Sequence, residues 1–399
     1  MSFCCRLSLL NLALICILLQ VGGCSNKENE SNRKLELHPI EERIPYLDYR
    51  HFIVDTTKSS FDLSRNKMIK KIKGILNNPS SYATQKIPIK TNSYGDLVLE
   101  GLDENRLILL DTENQELFEY NFRQDSLYHI AEFGRGPGGL SNANDLTIKD
   151  DMVYIAMSSD RISTFYCEST PCFFKKETKL NKQIIYSLAK TDSSFVVLGG
   201  TPTNQTSGSN LKSTGDKNEP SLHVYNDRKK VFSFGKRYKT NNHWMLKRPF
   251  TEGIIKYSNQ YGLYILSYSR LPYIYIFNDE LELVRSYKFK NFILGKQKYW
   301  PKEGRLRIVL SNHSIMKDIT LLTKDLALLK VETKRDSEVI SSVFAWDRQL
   351  DFYLIGLNET KAKYLGSRHF NKKETYGSLI VTKQGVIRST GGRLKWFNF

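Results

Sequence analysis

The 399-residue sequence carries 59 Lys and Arg against 42 Asp and Glu, a formal charge of +17, and 40% of its residues are hydrophobic. That is chain enough for one large domain or two ordinary ones, with apolar content enough to bury a core. The cations fall singly and in pairs, as at Lys70-Lys71 and Lys372-Lys373, without a nucleic-acid motif. This argues against nucleic acid as a partner and reads as a solvated basic surface, with an anionic partner as the lesser alternative.

At the N-terminus, Arg6 precedes an uncharged apolar stretch from Leu7 to Val21. It is short for a membrane span, which needs about 20 residues, and has the form of a secretory signal's apolar region. Val21-Gly22-Gly23-Cys24 closes it and resembles the lipobox of bacterial lipoproteins. The resemblance implies cleavage before Cys24 and acylation of its thiol, each buried CH₂ adding about 0.8 kcal/mol of membrane affinity. An ordinary signal peptide or an uncleaved anchor are the alternatives. Residues 25–34 hold no apolar side chain and cannot contribute to a core, so they read as a flexible tether. The expected organisation is a signal at 1–23, a tether at 24–42 and a folded body at 43–399. By the same resemblance, Ser25 implies outer-membrane anchoring. Glu28 and Glu30 resemble acidic surface-export tags, so periplasmic and surface-facing orientations both stand.

Beyond the tether, His51 to Asp55 suggests a short strand, and Asn66 to Leu76 spaces its apolar residues as a helix does. That helix is expected to pack on the body, with a membrane-lying role as the alternative. Gln85 to Lys90 alternates as a strand. From Leu97 onward short apolar runs alternate with turn residues. One unit spans Asp96–Leu99, Arg106–Leu110, Glu116–Tyr120 and Leu127–Ile130. Four more follow at roughly 40–50-residue spacing, and the last, from Ser378 to Phe397, has only three strands. In the fifth unit, Val343–Trp346 and Phe352–Ile355 read as the third and fourth strands. The Ser/Thr/Asn/Gly-rich stretch from Thr201 to Pro220 reads as a mobile loop.

Recurring four-strand units predict an all-β fold, a six-bladed β-propeller, with seven blades or an open double sheet as alternatives. A strand from the N-terminal region, near Gln85 to Lys90 or His51 to Asp55, would complete the last unit and close the ring. Cys167 and Cys172 flank Glu168-Ser169-Thr170-Pro171, which reads as a hairpin turn. Across such a turn they come within disulfide reach, and an exported protein would keep the bond. Two free thiols are the alternative, and the spacing is not that of a CxxC redox motif.

Between the first two units lies Phe133-Gly134-Arg135-Gly136-Pro137-Gly138-Gly139-Leu140. It resembles the Gly-x-Gly-Pro-Gly-Glu loop of TolB-like six-bladed propeller lipoproteins of Gram-negative bacteria, with Gly139 standing where that loop usually carries Glu. Arg135 is a candidate ligand contact near the channel mouth, against the plainer reading of a structural inter-blade turn. A second loop before an inner strand holds His243, Trp244 and Arg248, candidates for ligand contact on the same grounds.

No two of the seven histidines lie within five residues of each other, and HExxH, G-x-S-x-G and phosphate-binding loops are missing from the sequence. No metal or cofactor is therefore expected. The function this favours is a membrane-anchored module, monomeric, that binds a protein, peptide or glycan at the propeller face. A propeller lyase or hydrolase acting on glycans or peptides, with its site assembled across blades, is one alternative. A scaffold subunit of an outer-membrane complex is the other.

Overall fold

The computed structural model describes residues 44–56, 66–77, 85–90, 97–180, 184–200, 220–238, 252–295, 297–302, 305–310, 312–335, 347–370, 378–382, 385–390 and 393–398. Cys24, the tether and the loop bearing His243, Trp244 and Arg248 lie outside them, as does most of the Thr201–Pro220 stretch. The chain divides into two units, Met1–His38 with Gln297–Leu310, and Pro39–Lys296 with Ser311–Phe399. In the smaller unit the described part is an antiparallel hairpin, residues 297–302 with 305–310.

In the larger unit, β1 (Phe52–Val54), helix α1 (Lys67–Asn77) and β2 (Gln85–Lys90) precede the repeats. The first blade is β3 (Leu97–Gly101), β4 (Arg106–Asp111), β5 (Glu116–Asn121) and β6 (Ser126–Ala131). The second is β7 (Ala143–Lys149), β8 (Met152–Met157), β9 (Arg161–Tyr166) and β10 (Phe173–Lys179). The third is β11 (Ile184–Lys190), β12 (Phe195–Gly200), β13 (Leu222–Asn226) and β14 (Lys229–Phe234). The fourth is β15 (Gly253–Ser258), β16 (Leu263–Tyr268), β17 (Tyr273–Phe277) and β18 (Leu283–Phe289). After the hairpin strands β19 (Gln297–Lys302) and β20 (Arg305–Leu310), the fifth blade is β21 (His313–Thr323), β22 (Leu326–Arg335), β23 (Asp347–Gly356) and β24 (Ala362–Phe370). The sixth is β25 (Ser378–Val381), β26 (Gly385–Thr390) and β27 (Arg393–Asn398), with β2 antiparallel on its outer edge.

Six blades are present, each an antiparallel meander. The two-residue alternation of each strand explains why they form a ring. In β4, Ile108 and Leu110 pack against the second blade, while Leu107 and Leu109 pack against the sixth. In β17, Ile274 and Ile276 face the fifth blade, and Tyr273, Tyr275 and Phe277 face the third. Such a strand buries both faces and needs a neighbour on each side. Apolar clusters join every successive pair of blades, and the one containing Ile87, Leu109, Tyr120 and Trp396 joins the sixth to the first. That last cluster closes the ring.

The two N-terminal strands have different uses. β2 completes the sixth blade, whereas β1 adds a fifth, parallel strand to the outer edge of the fourth, pairing Phe52 with Tyr287. Helix α1 is capped by Asn66, whose Oδ1 accepts the Ile69 N–H at 3.0 Å. Its Ile69, Ile72, Ile75 and Leu76 are buried against the fifth and sixth blades, so the helix packs on the body as expected and does not present these residues to a membrane.

The fifth blade differs from its sequence reading. Val343–Trp346 lies outside the described residues, the third strand is Asp347–Gly356, and the outer strand is Ala362–Phe370. That outer strand carries Lys363, Arg368 and His369 and lacks a clean apolar alternation, because its outward face meets water.

Candidate functional site

Inner strands of neighbouring blades diverge too far for a continuous hydrogen-bond ladder, so side chains must bridge them. They enclose an axial cavity of about 500 Å³, to which the inner strands of the first five blades and Thr382, next to β25, contribute. Asn144 Nδ2 donates to the Ile185 carbonyl at 2.8 Å. Asp145 accepts the Ser187 hydroxyl and the Leu188 N–H at 3.0 Å on Oδ2, and the Leu146 N–H at 2.9 Å on Oδ1. Ser187 Oγ in turn accepts the Ile255 N–H at 3.0 Å, and Thr320 donates to the Val381 carbonyl at 3.0 Å. Polar contacts of this kind tie the second, third and fourth blades together, and the fifth to the sixth.

Lys256, on β15, sits at the centre of this arrangement. Its Nζ lies 3.8 Å from Glu100 Oε2 on β3 and donates to the Leu146 carbonyl on β7 at 3.3 Å. Its side chain is 12% exposed. Burial pulls its pKa down, but attraction to Glu100, Asp145 and Asp318 outweighs this and holds it above the ordinary lysine value. Asp145 is pushed up by burial, against the opposing pull of Lys256 and its hydrogen-bond donors. Glu100 thus pairs with the ammonium inside the ring, and Asp145 and Asp318 attract it from farther away. Asp145 already accepts three hydrogen bonds, which suits it to cross-bracing better than to moving protons.

Sequence reasoning missed these residues. The available signal was a single charge inside an otherwise apolar inner strand, as Lys256 sits within Gly253-Ile254-Ile255-Lys256-Tyr257. A buried charge needs a partner, and in a propeller the inner strands are where such partners meet.

Arg135 lies elsewhere. It is exposed and is not among the residues lining the cavity. Its loop is held by the Gly134 N–H on the Leu140 carbonyl at 2.9 Å, and Gly138 lies against the Phe174 ring on the outer strand β10. A Cβ at Gly139 would come 2.8 Å from the Gly134 carbonyl carbon, so this backbone leaves no room for the Glu of the TolB-like loop. Cys167 and Cys172 are joined by a disulfide, with Cα atoms 4.3 Å apart. The first blade grips this turn: buried Glu119 accepts the Thr170 hydroxyl and the Cys172 N–H, both at 2.9 Å, and Arg106 donates to the Cys167 carbonyl at 2.7 Å.

Among the described residues no cluster of His, Cys, Asp and Glu has the form of a metal site, and no helix is long and apolar enough to cross a membrane.

No family model matches the chain, and no curated protein matches its sequence. Among solved structures, the chain is similar to a member of the DUF4221 family from Bacteroides vulgatus, with a TM-score of 0.51 and 9% identity over 79% of this chain and 96% of that one. A candidate exported protein of Bacteroides fragilis aligns at TM-score 0.47 and 10% identity, over 80% of this chain and 95% of that one. Streptogramin B lyase aligns at 0.45 and 7%, over 79% and 97%. At such identities the likeness is one of fold, and it carries no activity across.

Proposed function

We propose that this chain is an exported propeller of the TolB-like lipoprotein kind, tethered to the outer membrane through acylated Cys24, that binds a ligand or protein partner at an end of its axial channel. The observation that carries the binding reading is the cross-braced interior. Lys256 is occupied with Glu100, while Lys190, Lys317, Lys324 and Lys330 and the neutral Asn259 and Gln260 line the same cavity. A rigid ring with a polar, preformed concavity suits recognition. The Cys167–Cys172 bond is consistent with an oxidising compartment.

The tether is tested by Cys24→Ser, which should move the protein from the membrane to the soluble fraction; unchanged membrane association would remove the lipoprotein reading. The binding face is tested by a photo-crosslinker at Gln260 in the full chain, with Phe232 on β14 as control position. Crosslinks to one species from Gln260 alone support the reading, and equal crosslinking from both positions opposes it. The presence of Glu100, Asp145 and Asp318 on that cavity also favours a second reading, a lyase or hydrolase acting on glycans or peptides. Turnover that disappears in Glu100→Gln, with the fold intact, would select it.

A further inference from the structure

The strands of the fifth blade have 11, 10, 10 and 9 residues, against three to seven for those of the other blades. This blade therefore outruns its neighbours, and one end of it is not matched by the fourth blade's own sheet. What lies against it instead is Asn291 and Ile293, just past β18, and Thr56, just past β1. The mismatch leaves a cavity of about 180 Å³ between the fourth and fifth blades, apart from the axial channel. Cavities of about 150 Å³ hold a benzene-sized molecule.

Its lining is mixed: Thr56, Asn291, Thr333, Arg335, Gln349 and Asp351 supply polar groups, and Ile293 with the Tyr353 and Tyr364 rings supplies apolar surface. Asp351 is 7% exposed, and its Oδ1 accepts Gln349 Nε2 at 2.7 Å and the Tyr364 hydroxyl at 3.1 Å. The Tyr353 and Tyr364 rings flank it, with centroids 5.3 Å apart and planes at 51°. Arg335 lines the same cavity and is exposed. Burial pushes the Asp351 carboxyl up, against the opposing hydrogen bonds from Gln349 and Tyr364 and the positive charge of Arg335.

A buried carboxylate beside two aromatic rings is a setting that rewards an ammonium, through a charge-assisted hydrogen bond and cation–π attraction. A hard divalent cation fits less well, because it needs six or more oxygen ligands and one Asp351 oxygen already serves two donors. An exposed guanidinium is suited to a carboxylate, which it grips with two parallel hydrogen bonds. Opposite charges on one small cavity call for a ligand with opposite charges of its own.

We infer that this cavity binds a small zwitterion of the α-amino acid class, its ammonium at Asp351 and the Tyr353 and Tyr364 rings, its carboxylate at Arg335. This is independent of the channel reading. The test is saturation-transfer NMR of the full chain without its signal, against each of the twenty amino acids, followed by titration of the best binder, its amide and its N-acetyl form. The expected result is binding of at least one amino acid, weakened roughly tenfold or more in both derivatives and in Asp351→Asn and Arg335→Ala. Asp351→Asn keeps an acceptor for Gln349 and Tyr364, and Arg335 is exposed, so circular dichroism should show both variants folded. No binding by any amino acid, or an amide that binds as well as the acid, overturns the assignment. So does retained affinity in the two variants.

Discussion

Replacing Lys256 by Met tests whether the cross-braced interior holds the ring together. The substitution keeps an unbranched side chain one atom shorter and removes its charge, leaving Glu100 without its partner and Asp145 and Asp318 without the ammonium's attraction. Removing one member of a buried ion pair costs about 3–5 kcal/mol, because the remaining charge stays desolvated. In a ring of this size each kcal/mol moves Tm by about 2 °C, so a fall of roughly 5–10 °C is expected. The pH dependence has a definite sign. Lys256 has a raised folded pKa, so its own contribution is complete below the unfolded value of about 10.4 and fades only as pH rises through the folded value. Asp145 sets the behaviour at lower pH. Without the ammonium that opposes it, burial pushes the Asp145 carboxyl further up, the folded variant binds a proton the unfolded chain does not, and it regains stability as pH falls. Urea unfolding of both proteins at pH 8 and pH 5 should give the wider gap at pH 8. A gap below about 1 kcal/mol, or one equal at both pH values, would refute the idea that these charges depend on one another.

Three further outcomes follow from the same geometry. Cys167 and Cys172 should resist alkylation in the folded, unreduced protein, and replacing both with Ser should cost about 2 kcal/mol for so short a loop; ready labelling would contradict the bridge. Gly139→Ala forces a Cβ against the Gly134 backbone and should cost about 1–3 kcal/mol by thermal unfolding, whereas Gly136→Ala, with open space around it, should stay within about 0.5 kcal/mol. Ile72→Ala, at a wholly buried position of α1, should cost about 2–5 kcal/mol; a negligible loss would mean that the helix does not pack on the blades.

Where a strand buries both faces, its residue pattern is strong, and the strands around Arg106–Leu110, Met152–Ala156 and Tyr273–Phe277 were legible for that reason. The helix was legible because its apolar residues repeat at helical spacing. The outer strand Ala362–Phe370 was not, since one face is wet and its polar residues mask the period. The hairpin of β19 and β20, with Lys298, Lys302, Arg305 and Arg307 among its residues, was missed as well. The site was the least legible part. Glu100, Asp145, Lys256 and Asp318 lie on four different blades, and closure of the ring is what makes them neighbours. Arg135 was visible as a motif, but its loop turns outward over Phe174, a direction set by the close approach of Gly139 to Gly134 and of Gly138 to the ring.

The central claim is a ring of six blades in which an N-terminal strand completes the last one. Lys86 on β2 and Lys395 on β27 are register partners, and both are exposed. Partners in an antiparallel pair have Cα atoms about 4.5–5.5 Å apart, within disulfide range. Peptide mapping of the Lys86→Cys/Lys395→Cys double variant under mild oxidation should find residues 86 and 395 joined in nearly every molecule, while Lys86→Cys/Lys288→Cys stays unlinked. Free thiols at 86 and 395 in the folded protein would contradict the closure, and with it the ring.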